Sequence, residues 1–229
     1  MSITDYAKSI VSYYTSSELR TTIEQTFLPN LANTVRTHPL LKPHVHSVKF
    51  RSKDPEHLLK KLLRKKQKLQ GSKRITADNL FRKVNDLAGL RVLHLYTRQI
   101  ADIDAALKTM FEESHYKITE GPFARTWDDE SRDYFSDLGI KIEKSPTLYT
   151  SVHYVIAPNR QFTCEIQVRT LMEEVWGEID HAINYPDPSD SVACQEQLRA
   201  LARATSSCSR LVDSIVASHA DHIATEMPR

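Results

Sequence analysis

The chain has 229 residues, 40% of them hydrophobic and 26% charged, which is enough to bury one large core and excludes a disordered or low-complexity protein. A net charge of +2 is too small to define a partner, and no apolar run approaches the ~18 residues of a membrane-spanning helix. Residues 1–6 lack the basic flank and apolar stretch of a signal peptide, and three cysteines (Cys164, Cys194, Cys208) without metal-ligand spacing read as reduced thiols, so a cytoplasmic protein with no membrane partner is expected.

In chain order, Ile3, Tyr6, Ile10 and Val11 at helical spacing predict a first helix, followed by a second over 17–36. Residues 44–50 alternate like a short strand. Asp54-Pro-Glu56 is a strong helix start, with an N-cap, a proline at the first helical position and an acid in the first turn. That helix is expected to run to about 70, with Leu58, Leu59, Leu62, Leu63 and Leu69 on one face, and to stop at Gly71-Ser72. A helix over 77–84, a strand over 90–96 and a helix carrying Ile100, Ile103, Leu107, Met110 and Phe111 follow. Residues 115–147 hold most of the turn formers and few periodic signals, leaving room for a mobile active-site segment and for some strand.

Two strands, 149–156 and 162–170, flank a hairpin-like turn at 157–160. A helix over 171–185 ends at Pro186-Asp-Pro188, and 192–225 reads as one long helix with Leu198, Leu201, Cys208, Leu211 and Ile215 in an apolar stripe. Helices around a mixed sheet of about five strands make the fold class α+β. The expected organisation is N-terminal helices over 1–44, a central domain over 45–190 and a C-terminal helix over 191–229.

The two strands carry the chemistry. Alternation puts Tyr149, Ser151 and His153 on one face of the first, and Glu165, Gln167 and Arg169 on one face of the second. A sheet face packed under helices would be apolar, so a shared surface with a ring, an imidazole, a carboxylate, an amide and a guanidinium reads as a site. Upstream, Arg51, Lys53 and Lys61 fall at a strand end, just after it and one helical turn into the next helix, where three cations can converge on a polyphosphate. A solvated helix face accounts for Arg64 through Lys68. Asp86 precedes a strand and Glu165 lies mid-strand; two such carboxylates that meet can hold Mg²⁺ together with waters and substrate phosphates. On spacing alone the alternative stands equally: Asp86 caps a turn and Glu165 pairs with Arg169 or Arg91. The ten histidines form no zinc pattern, and none of the five glycines belongs to a P-loop or dinucleotide fingerprint.

Five segments in order resemble the synthetase domain of the RelA/SpoT family, the alarmone synthetases that transfer pyrophosphate from ATP to a guanine nucleotide. They are Arg51-Ser-Lys53-Asp-Pro-Glu-His57-Leu-Leu-Lys-Lys61-Leu, Asp86-Leu-Ala-Gly89-Leu-Arg91-Val, Tyr149-x-Ser151-x-His153, Glu165-Ile-Gln167-Val-Arg169-Thr170 and Trp176-x-Glu178-x-x-His181-x-x-x-Tyr185. The resemblance covers about residues 45–186 and implies a nucleotidyltransferase-like domain of the small, single-domain type. It implies that Arg51, Lys53, His57 and Lys61 contact ATP, that Asp86 and Glu165 hold Mg²⁺, and that Glu165 is the base for the acceptor hydroxyl. Tyr149 corresponds to the ring that stacks on the acceptor base; Ser151, His153, Gln167 and Arg169 correspond to residues around the acceptor, and Arg132 to a basic residue that reaches a phosphate. The chain departs from the family at His57, where Ser is usual, at Thr147-Leu148, where Asn-Gly is usual, and at Thr150, where Arg is usual.

The implied activity is an ATP-dependent pyrophosphokinase that moves the β,γ-pyrophosphate of ATP to the ribose 3′-hydroxyl of GDP or GTP and releases AMP. Because the departures lie on the acceptor side, an alternative keeps the chemistry and changes the acceptor to an adenine nucleotide or the 3′ end of tRNA, as in toxic small members of the family that are paired with an antitoxin. The basic run Lys60–Lys68, with Lys73 and Arg74, suits such a polyanion. A nucleotide-binding regulator without catalysis is the reading from a different class. The tail helix packs on its own domain or joins a homo-oligomer, dimer or tetramer.

Overall fold

The computed structural model describes residues 2–65, 69–71, 74–145, 147–185 and 187–226; Lys66, Lys68, Ser72, Lys73 and Pro186 lie outside them. Ser2 opens α1 (Ile3–Ser16) with a capping box, its hydroxyl accepting from the Asp5 N–H. The expected second helix is α2 (Glu18–Thr22) and α3 (Leu28–Thr37), joined by a π turn over Ile23–Phe27. Asp54 caps α4 (Pro55–Arg64) by accepting from the His57 N–H, and Leu58 and Leu62 are the leucines it buries completely.

Among the described residues six strands form one mixed sheet in the order β1-β2-β6-β5-β3-β4: β1 (Ser47–Ser52), β2 (Ala88–His94), β3 (Lys117–Thr126), β4 (Lys141–Lys144), β5 (Ser151–Ala157) and β6 (Cys164–Thr170). The pair β2–β6 is parallel, as is β3–β4, and the remaining neighbours are antiparallel. The short α5 (Leu80–Lys83) and a single 3₁₀ turn (Asn85–Leu87) lead into β2. The fold is α+β, as the periodicity indicated.

One sheet face is apolar. Leu90, Val92, Ile166, Val168, Val152 and Tyr154 are buried, and α6 (Ile100–Glu113) adds Ile103, Leu107 and Phe111 to the same core. Tyr154 packs its ring near Phe111 and donates its hydroxyl to Asp104 of α6 at 2.7 Å. The opposite face carries Arg51, Arg91, Glu165, Gln167 and His153 in one row across four strands, because Arg51 pairs with Gly89, Arg91 with Gln167, and Gln167 with His153.

Two expectations are amended. The room left for strand over 115–147 is filled, among its described residues, by β3 and β4, with α7 (Asp129–Asp137) between them. The alternation of β3 is interrupted by register shifts between Ile118 and Phe123, around Gly121, whose φ of +86° and a Cβ 2.4 Å from the His153 carbonyl oxygen admit no side chain. The C-terminal stripe is the second correction. In α9 (Val192–Glu226) Leu198 is buried, Leu201 half-buried and Cys208 exposed, while Leu211 and Ile215 are 62% and 58% exposed. Beyond Leu198 and Ala202 the surface under α9 is polar, so the packed face there is Thr205, Ser206 and Ser209, with Ser209 beside the Thr170 hydroxyl and Arg210 on Asp128. Among the described residues no helix is long and apolar enough to cross a membrane.

Candidate functional site

Asp86 and Glu165 come together although 79 positions separate them in the chain (165 − 86). The 3₁₀ turn before β2 presents Asp86 beside the first residues of that strand, and Gly89 of β2 is in register with Glu165 of β6. Both carboxylates line two adjoining cavities, one of about 370 Å³ and one of about 200 Å³, together with Arg51 and Gln167. Their side chains are 21% and 18% exposed, so neither is sealed from solvent.

Asp86 accepts from Lys61 at 2.5 Å and from Lys53 at 3.1 Å. Burial pushes its carboxyl up, and the Lys61 and Lys53 ammonium groups outweigh that and hold it below the usual carboxylate range. Lys53 is aimed by the strand end and Lys61 by the second turn of α4, so the Asp54-Pro55 helix start fixes the direction of both cations. Glu165 takes a different set. His153 Nδ1 lies 3.2 Å from its Oε1 and Gln167 Nε2 donates to Oε2 at 2.9 Å. Burial raises the Glu165 carboxyl; the His153 hydrogen bond, aided by Gln167 and opposed by nearby Asp86, leaves it lowered. The pairing of Glu165 with Arg169 or Arg91 does not occur: both guanidinium groups go to Glu174 and Glu178 of α8 (Leu171–Asn184).

The structure sorts the remaining site residues read from the sequence. Arg51 and Lys61 line the larger cavity. Tyr149 lies just before β5 and lines neither cavity itself; it donates its hydroxyl to the wall residue Gln167, at Oε1, 3.3 Å away, with its ring near Trp176. Ser151 and His153 are 2% and 1% exposed, so both lie beneath the surface and line neither of these two cavities. Arg169 is not brought into either cavity. It is buried by the first turn of α8, where Glu174 captures it, and its guanidinium sits 5.4 Å from the Tyr149 ring centroid. Arg132 lies on α7 in an ion pair with Asp129 at 2.7 Å, also away from the cavities. His57 packs edge-on against Tyr185, centroids 4.6 Å apart, and His181 stacks on that ring at 4.5 Å while meeting His57 edge-on at 6.2 Å. Thr147 and Leu148 line a separate cleft with Trp127 and Trp176.

Several wall residues carried no role in the sequence reading. Phe123 and Arg125 of β3 line the larger cavity, Phe123 stacked parallel on His153 at 5.4 Å and Arg125 over Phe123 at 5.2 Å. Period-two spacing of Phe123 and Arg125 was their only signal, and the irregularity at Gly121 hid it. Lys83 and Asn85 reach the same cavity from the segment before Asp86. Arg51, Gly89 and Arg91 line the smaller cavity together, Arg91 with its guanidinium held by Glu174 and Glu178.

The donor set fits a hard cation. Both carboxylates offer oxygen and open to solvent, and among the described residues no group of three or more His, Cys, Asp or Glu side chains is arranged for a metal. Two carboxylates completed by waters and phosphates is the usual protein share of a Mg²⁺ shell.

Residues 50–190 match the region found in RelA / SpoT proteins. A search of curated protein sequences finds no match. Among solved structures the chain is similar to small alarmone synthetase 1 from Bacillus subtilis, at 19% identity over 89% of this chain and 96% of that one, with a TM-score of 0.62. The same Bacillus protein bound to its product pppGpp matches at 20% identity, 87% and 93% coverage and TM-score 0.59, and bound to AMPCPP at 19%, 88%, 93% and 0.56. A GTP pyrophosphokinase family protein from Streptococcus pneumoniae matches at 17% identity, 93% and 96% coverage and TM-score 0.60. At these identities the likeness is one of fold.

Proposed function

The chain belongs to the RelA/SpoT family, and from that premise we propose that it is an ATP-dependent pyrophosphokinase acting on the 3′-hydroxyl of a guanine nucleotide. The observation that carries this reading is the meeting of Asp86 and Glu165 at the junction of two cavities, beside Arg51, Lys53 and Lys61. Arg51, Lys53 and Lys61 bind the ATP phosphates, the two lysines exchanging Asp86 for phosphate oxygens as the nucleotide enters. Asp86 and Glu165 would hold Mg²⁺, which would neutralise charge on the transferring phosphates. Glu165 accepts the proton of the 3′-hydroxyl as that oxygen bonds to the β-phosphorus. The bond from the β-phosphorus to the α–β bridging oxygen breaks, and AMP leaves with its electron pair. Tyr149 supplies a face for the acceptor base, and Gln167 ties that ring to Glu165, so acceptor seating and base orientation are linked. Positioning and electrostatics supply most of the acceleration.

A second reading keeps the transfer and takes an adenine nucleotide or a tRNA 3′ end as acceptor. Lys61, Lys65, Lys83 and Arg125 on the wall of the larger cavity favour a polyanion. Incubation with ATP labelled in the γ-phosphate and each of GDP, GTP, ATP and bulk tRNA tests both. Label on GDP or GTP with stoichiometric AMP supports the first reading, and label on tRNA with steep salt sensitivity supports the second. Nucleotide binding without any AMP release would leave a silent regulator.

A further inference from the structure

We infer that His153 is a positioning residue, acting through Glu165 rather than touching the acceptor; the inference rests on the reading of Glu165 as the base. His153 has no surface to offer a substrate. It is 1% exposed, one ring face lies parallel to Phe123 at 5.4 Å, and both ring nitrogens are occupied, Nε2 by Ser151 Oγ at 2.5 Å and Nδ1 by Glu165 Oε1 at 3.2 Å. A carboxylate only accepts, so Nδ1 carries a proton and donates it to Glu165, while Nε2 shares a hydrogen bond with the Ser151 hydroxyl. Ser151 is itself 2% exposed, which locks that end of the chain of contacts.

The consequence is a clamp. His153 holds Oε1 from the neighbouring strand and Gln167 holds Oε2 from the same strand, so the carboxylate plane is fixed while its remaining lone pairs face the cavities. Gln167 lies on the cavity wall and is open to displacement by substrate; His153 is beneath the wall and stays. A catalytic carboxylate on a strand gains its precision from such an underlying partner, and loss of one costs roughly 10–100-fold in comparable sites.

The test compares His153→Asn, whose amide can stand where Nδ1 stood, with His153→Gln, whose amide reaches toward Ser151 instead. Both are first shown by thermal melting to fold. His153→Gln is expected to lose roughly 10–100-fold in kcat with KM for ATP and acceptor little changed, and His153→Asn to recover most of that loss. A rise in acceptor KM at unchanged kcat, or equal losses in the two variants, overturns the inference. Nitrogen-15 NMR of the nucleotide-free native protein gives a readout independent of turnover: a protonated Nδ1 on His153 supports it, and a ring protonated at Nε2 alone overturns it. A native protein that releases no AMP with any acceptor fails the reading of Glu165 as base, and the nitrogen spectrum still decides whether His153 orients that carboxylate.

Discussion

Lys61 and Asp86 lie 2.5 Å apart, Nζ to Oδ1, and Lys53 closes on the other carboxylate oxygen at 3.1 Å. Two ammonium groups thus hold the one Asp86 carboxylate, contacts that the proposed triphosphate and cation would exchange. Asp86→Asn frees both lysines for phosphate and removes half of the cation's protein share. The expected result is metal-free binding of AMPCPP at least as tight as in the native protein, with the gain on adding Mg²⁺ lost. Calorimetry with and without Mg²⁺ reads both; a tenfold weaker metal-free affinity would contradict the exchange.

Gly177 is constrained by Arg169. A Cβ there would lie 2.6 Å from Arg169 Nη1, and that guanidinium, bound to Glu174 and buried, has no free direction of retreat. Gly177→Ala should cost roughly 1–3 kcal/mol by overpacking, a fall of several degrees in Tm at this chain length. An unchanged melting curve would mean that Arg169 moves at little cost.

Tyr149 is seated by Arg169 and by Gln167, so its ring is fixed before any base arrives. Stacking on an aromatic ring is worth roughly 1–3 kcal/mol per base by alanine substitution, and Tyr149→Ala should raise acceptor KM accordingly while KM for ATP stays near native. Tyr149→Phe keeps the ring and should lose far less. Steady-state kinetics that found equal losses in the two variants would move the role from the ring to the hydroxyl.

Glu173 sets a pH dependence of stability. Burial pushes its carboxyl up to about 8, against Arg169 and a Thr150 backbone contact and with help from Asp128. The folded protein therefore keeps a proton that the unfolded chain, with an ordinary carboxyl near 4.5, releases. Stability from this group is present below about pH 4.5 and is lost as pH rises toward 8, with a slope of up to about 1.4 kcal/mol per pH unit. Glu173→Gln should flatten the Tm profile between pH 5 and 8 and raise Tm at pH 8. A native slope in the variant would exclude Glu173 as its source.

The polar face of β5 and β6 was legible because unbroken alternation assigns Ser151, His153, Glu165 and Gln167 to one side whatever packs around them. Alternation assigns sides and says nothing about depth. It could not tell that His153 lies under the wall, or that Arg169, at the end of the same row, is taken by Glu174 of the following helix. Phe123 and Arg125 stayed hidden because two register shifts break the period in β3. In α9 helical spacing found a stripe, but the surface beneath was polar and selected Thr205, Ser206 and Ser209 instead. Arg132 and His57 were read from their places within motifs, His57 as a departure from the usual Ser, yet an ion pair within α7 and a ring contact with Tyr185 set their directions.

The central claim is that Glu165 is the base and shares a cation with Asp86 during pyrophosphate transfer. The most direct measurement is AMP release from ATP with a guanine nucleotide and Mg²⁺, comparing native protein with Glu165→Ala and Asp86→Ala at matched Tm. Loss of turnover in each variant by at least about a thousandfold, within the range seen when groups of the catalytic apparatus are removed, is the predicted result. Near-native AMP release by either folded variant would contradict the account.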